Sequence, residues 1–83
     1  MDKMNVKALT IALGSTWGLM VLLAGWAAML GIAVRFVEIM GSVYIGYEAT
    51  LLGSLIGAAW AFLDGAIGGL VIALIYNAIA KKN

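Results

Sequence analysis

The sequence predicts an all-α fold: two transmembrane helices folded as a hairpin, in a single membrane domain over residues 1–83 that associates with copies of itself. Three observations predict it. Hydrophobic residues make up 65% of the 83 residues and charged ones 11%, where soluble domains carry about 45–50% and about 25%. Two long apolar stretches, each able to cross a bilayer, are separated by a short polar connection. The second stretch places a small residue at every fourth position along its length.

The same composition excludes several chemistries. The chain has no cysteine and no histidine. Zinc, haem and iron–sulfur sites of the usual kind therefore lack ligands, and Ser–His–Asp or Cys–His catalysis has no base. There is no disulfide to report a redox compartment. A net charge of +1 is too small to point to nucleic acid. No phosphate-binding loop or catalytic pair is visible. The expectation is no enzymatic activity, no cofactor, no metal and no small-molecule substrate; the expected partners are the lipid bilayer and the chain itself.

Transmembrane helix 1 is expected over 8–34. Ala8 to Val34 carries no formal charge, with Lys3 and Lys7 before it and Arg35 closing it. About 20 apolar residues cross a hydrocarbon core of about 30 Å, so the stretch is long enough to cross with tilt. A secretory signal competes, given the basic start and the small residues around Ala24–Ala28. Its apolar region would be only about 7–15 residues, so a retained helix is expected. Arg35 and Glu38 are spaced to pair on one helical turn, which extends the helix to about residue 40.

The connection is placed at 41–48. Gly41 and Ser42 look like a helix stop, since glycine favours the left-handed end of a helix. Tyr44 and Tyr47 flank Gly46, and tyrosines concentrate at the membrane–water interface. Glu48 suits the dipole at the start of the next helix.

Transmembrane helix 2 is expected over 49–80, interrupted by a single charge, Asp64, and followed by Lys81, Lys82 and Asn83. Tyr76, Lys81 and Lys82 join Tyr44 and Tyr47 as expected interface anchors. Lysines at both ends, against Arg35 alone among the basic residues of the connection, place both termini in the cytoplasm by the positive-inside rule. The expected location is the cytoplasmic (inner) membrane.

Ala49, Gly53, Gly57, Ala61, Gly65, Gly69 and Ala73 form a row of small residues at spacing four. Such rows let two helix backbones approach closely. Residues four apart advance about 400°, so the row drifts around the helix. One packing helix covers only part of it, and a homo-oligomer is expected to use the remainder. Gly14, Gly18 and Gly25 form a weaker counterpart on helix 1. Together with Gly68, these glycines and Ala61 are the expected helix-packing and oligomerisation residues.

Asp64 is the one ionisable residue deep in either span. At about 100° per residue it shares a face with Gly53, Gly57 and Gly68, which predicts that it points to the packed side. An acid at mid-bilayer costs roughly 2.5–3.5 kcal/mol on insertion scales and needs a partner. Facing the two spans is expected to place Asp64 at a depth near Gly18 to Leu22, within reach of Ser15, Thr16 or the indole N–H of Trp17. The acid then serves either as hydrogen-bonding glue between helices or as a group lining an ion path. Trp17, Trp26 and Trp60 are expected to be packing or lipid-facing aromatics.

The stretch from Tyr44 to Asn77, YIGYEATLLGSLIGAAWAFLDGAIGGLVIALIYN, resembles a family of short prokaryotic membrane proteins known as bacteriophage holins or holin-like proteins. The resemblance extends to Asn5–Val6–Lys7–Ala8, Trp17–Gly18 and Gly46–Tyr47. Its pattern in helix 2 is met by Gly53, Ser54, Leu55, Ile56, Gly57, Trp60, Asp64, Gly65, Ile67, Gly68, Gly69, Tyr76 and Asn77. It implies a protein that accumulates in the inner membrane with both ends in the cytoplasm and assembles into holes. The short basic end, Lys81–Lys82–Asn83, departs from the long charged tail of that outline.

A second resemblance is to the rotor-ring proteolipid of ATP synthases, also a hairpin with a carboxylate midway along helix 2. It implies a proton- or cation-carrying ring with Asp64 as carrier. The dense glycine pattern of that family lies in helix 1, however, and its polar loop carries a proline that this chain lacks. A third expectation is a structural subunit packed on a larger protein.

Overall fold

The computed structural model describes residues 3–82, the last without its side chain. Three helices follow one another: α1 (Val6–Ala28), α2 (Val34–Gly41) and α3 (Leu51–Lys82). α1 and α3 are long and apolar enough to cross a membrane. At 1.5 Å per residue they measure about 35 Å and about 48 Å.

Local sequence explains where the long helices begin. Asn5 precedes α1, and its side-chain oxygen accepts the backbone N–H of Ala8 at 3.0 Å. Thr50 does the same for α3, its hydroxyl accepting from the N–H of Gly53 at 2.8 Å. Each cap satisfies one of the N–H groups that a helix leaves without an internal acceptor.

Helix 1 does not reach Val34 or continue to residue 40, as the charge pattern suggested. α1 stops at Ala28, and a turn over 29–33 separates it from α2. Gly31 has φ +86 and Ala33 φ +61. Left-handed backbone is freely open to glycine, whereas an alanine there costs about 1–2 kcal/mol. Gly31 lies inside the apolar run, where composition conceals its role as a break. The charged residues Arg35 and Glu38 belong to the separate α2.

α1 and α3 pack antiparallel through their backbones. A Cβ placed on Gly65 would stand 2.7 Å from the Leu13 carbonyl oxygen, and one on Gly69 2.7 Å from that of Leu9. From the other side, Gly14 faces the Phe62 carbonyl and Gly18 that of Ala58. Near the far end of α1, Gly25 lies against the Ser54 side chain. At the opposite end Asn77 is bonded twice to Met4, two residues before α1, accepting its N–H at 2.7 Å and donating to its carbonyl at 3.1 Å. Apolar area supplies little attraction between helices surrounded by lipid tails; close van der Waals contact at small residues does.

The segment 34–50 does not bridge the two helices as a simple loop. It folds back along their flank. Phe36 meets Trp17 edge-on at 6.2 Å between ring centroids. Val37, Tyr44 and Tyr47 form a core with Val21, Ala28 and Ala61. Gly46 allows the reversal with φ +93, and the chain returns to start α3.

Two glycines of α3 separate close packing from helix propensity. Gly69→Ala should destabilise the fold by about 1–3 kcal/mol, because the Leu9 carbonyl blocks the added methyl. Gly68 has nothing within 4 Å of its Cβ position, so Gly68→Ala should stabilise by up to about 1 kcal/mol. Unfolding titrations in mixed micelles would compare the two.

Candidate functional site

The site lies where the folded-back connection meets the middle of both long helices. The Trp17 indole N–H of α1 donates to the Tyr44 hydroxyl at 2.9 Å. Tyr44 donates in turn to Oδ2 of Asp64 on α3, at 2.6 Å. One phenol therefore joins a helix on each side of it. The two bonds, in series through one hydroxyl, make Tyr44 the polar link between α1, the connection and α3.

Tyr47 closes the same flank nearer the start of α3. Its hydroxyl donates to the Val21 carbonyl at 2.7 Å, and its ring occupies the space that Gly57 leaves without a side chain. Trp60 stacks on Tyr44 with planes 1° apart and centroids 6.4 Å apart. Its indole N–H donates to the Ile45 carbonyl at 2.9 Å, which ties the loop backbone to α3. Half-buried Trp17 and exposed Trp60 both find an acceptor for the indole N–H, beyond the packing or lipid-facing role expected of them.

Tyr44 and Tyr47, expected as interface anchors, are packed inside the protein. Each is only 3% exposed, and both hydroxyls are spent inside the protein. Interfacial tyrosines and buried tyrosines share one requirement, a polar partner for the hydroxyl; the backward fold supplies that partner from within. Tyr76 is half-buried near the opposite end of α3 and Lys81 is exposed there. The side chain of Lys82, and Asn83 altogether, lie outside the described residues.

Asp64 also departs from its expected surroundings. It is exposed, and among the described residues only Oδ2 accepts a hydrogen bond. It lines an open groove of about 320 Å³ with Val43, Tyr44, Trp60, Leu63 and Ile67. The residues turned toward α1 are Gly65 and Gly69, and at about 100° per residue Asp64 lies about 100° and about 140° from them. The drift of the small-residue row explains the difference: sharing a face with Gly53 and Gly57 is not the same as facing α1.

The row itself is filled from within the chain. Gly65 and Gly69 take α1, Gly57 takes Tyr47, and Gly53 is closed by Thr50 and Glu48. Ala61 and Ala73 are fully buried. Ala49 is exposed ahead of α3, and Gly68 alone among the α3 glycines has open space at its Cβ position. Gly14, Gly18 and Gly25 are likewise occupied by α3. Little of the row remains to face another molecule.

Ser15 and Thr16 lie at the depth of Asp64 without reaching it. Both are exposed, and neither hydroxyl has a hydrogen-bond partner among the described residues. Thr10, one helical turn or more earlier, instead bonds back to the Val6 carbonyl at 2.7 Å. Among the described residues, no group of three or more acidic, histidine or cysteine side chains is arranged to hold a metal.

Comparison with protein-family models finds no match, and neither a search of curated proteins nor one of solved structures returns a similar protein.

The bridge makes a direct prediction. Tyr44→Phe keeps the ring against Trp60 but removes both hydrogen bonds, leaving the indole of Trp17 and the carboxylate unpaired. The expected loss is about 1–3 kcal/mol of stability, with a change in the Trp17 emission spectrum. Tyr47→Phe removes one bond to a backbone carbonyl and should cost less.

Proposed function

We propose that this chain is an integral membrane protein of holin-like type, a two-helix hairpin that acts by self-assembly and carries out no catalysis. The observation that carries the reading is the outer surface. Leu19, Leu23 and Leu30, and on α3 Leu52, Leu63, Ile67, Ile75 and Ile79, are each more than half exposed. In water such a surface would far exceed the few hundred Å² of contiguous apolar patch that soluble monomers tolerate. In a bilayer it is the lipid-facing surface.

The charges support the same placement. Lys3, Lys7 and Lys81 cluster where α1 begins and α3 ends, while Arg35, Glu38 and Glu48 belong to the opposite end. The lysine-rich end lies in the cytoplasm by the positive-inside rule. Asp64 then sits well inside the span, roughly 20 Å along α3 from Leu51. Its second oxygen faces outward from the monomer, where lipid is an unfavourable neighbour. Self-association removes that contact, and a ring of such copies would place acidic groups along a shared path.

A second reading keeps the ring but makes Asp64 an ion carrier. The exposed carboxylate held by Tyr44 favours it, because one oxygen is fixed while the other stays accessible.

Both readings are tested in lipid. In nanodiscs, native mass spectrometry should give more than one chain per particle, and a strictly monomeric mass would sink self-assembly. Vesicles loaded with a small anionic dye should leak it if the assembly is a hole. Proton or cation flux without dye release, abolished by Asp64→Asn while the oligomer survives, would establish the carrier reading instead.

A further inference from the structure

The self-assembly reading requires a contact face, and the small-residue row is already occupied. What remains unsatisfied at mid-span is specific: one carboxylate oxygen on α3 and two hydroxyls on α1. We propose that copies of this chain join head to tail, the Asp64 groove of one copy receiving the Ser15–Thr16 face of the next. The proposal rests on the self-assembly reading and names its interface.

Depth comes first. Gly14 lies against Phe62 and Ala66, and Gly65 against Leu13 and Gly14. Ser15, Thr16 and Asp64 therefore occupy one level of the molecule. Copies inserted in the same orientation hold all three groups at the same height in the bilayer, so lateral contact brings them together without any shift along the membrane normal.

The two surfaces also point away from each other. Gly14 and Gly18 face α3, and Thr16 lies about 160° from both around α1. Its helical neighbours on that outer face are Ala12, Met20 and Leu23, all exposed. Asp64 and its groove open on α3 away from α1, between apolar walls formed by Val43, Leu63 and Ile67. Each copy thus presents a donor face and an acceptor face on opposite sides. Such unlike faces generate closed rings or open arrays, whereas a two-fold contact pairs like with like.

Chemistry selects between those arrangements. Head-to-tail contact gives Oδ1 of Asp64 a hydroxyl donor and gives Thr16 or Ser15 an acceptor. Two-fold contact through the grooves would set carboxylate against carboxylate and leave the hydroxyls in lipid. Phe62, Ala66 and the connection already cover the inner surfaces, so the apolar residues around Thr16 and Asp64 supply the area that surrounds the hydrogen bond.

The sequence contains no cysteine, so disulfide trapping reads the contact directly. Full-length Ala12→Cys and Ile67→Cys chains carrying different tags, with Ser15, Thr16 and Asp64 intact, would be co-reconstituted in vesicles and oxidised with iodine. Both positions are exposed, and neither substitution touches the α1–α3 contact. The expected product is a mixed cross-link joining the two tags, with little product from either variant alone. When the Ala12→Cys chain also carries Ser15→Ala with Thr16→Val, or the Ile67→Cys chain also carries Asp64→Ala, the mixed yield should fall. In the cysteine-free chain, Ser15→Ala with Thr16→Val should weaken assembly by about three- to tenfold, the range of an interhelical hydrogen bond. Cross-links only between Ile67→Cys copies would overturn the head-to-tail arrangement in favour of a two-fold pair. An oligomeric mass with no mixed cross-link would overturn this interface and leave self-assembly standing. A monomeric mass would remove the parent reading as well.

Discussion

The backbone contact between α1 and α3 is the constraint on which the rest of this structure depends. Glycines on both helices, Gly14 and Gly18 against Gly65 and Gly69, bring main-chain atoms to distances that no side chain would allow. For helices that span a bilayer, lipid offers no hydrophobic reason to associate, and dispersion at such a close contact supplies most of the attraction. The closeness has a second effect. It leaves the space between the helices full, and the connecting segment has to pack on their flank.

That flank solves a problem of polar groups at depth. Irregular backbone away from water is tolerated only where the protein itself satisfies it. Here Trp60 donates to Ile45, Tyr47 donates to Val21, and Tyr44 accepts from Trp17 while donating to Asp64. Four aromatic residues with polar tips thus act as ties between a non-helical segment and two apolar helices. Gly57 contributes by having no side chain where the Tyr47 ring lies. The glycines and aromatics thus hold one chain together, and the proposed self-assembly has to draw on the groups that remain exposed.

Much of the fold was legible in the sequence. Uninterrupted apolar runs longer than a bilayer core have few alternatives to helix, and Gly14, Gly18, Gly65 and Gly69 could be read as contact residues from spacing alone. The candidate site was legible only in part. Asp64 stood out as the isolated charge, and Trp17 was among the groups expected near its depth. Tyr44 was not recognised as the link between them, because a tyrosine in a polar connection reads as an interfacial residue. Its signal was present in the neighbouring sequence: Phe36, Val37 and Val43 make the connection too apolar for an ordinary exposed loop.

The sequence by itself determined that this chain has two helices able to span a membrane, where its charges cluster, and which helix faces can approach closely. Those properties follow from residue chemistry and the fixed pitch of a helix, and hold whatever the chain does between the spans. Only the tertiary structure decided that α1 ends at Ala28, that 34–50 folds back, and that Asp64 meets Tyr44 while keeping one oxygen outward. Those outcomes depend on three left-handed residues, Gly31, Ala33 and Gly46. Their backbone angles set the direction of the connection, and no periodicity in the sequence records that direction.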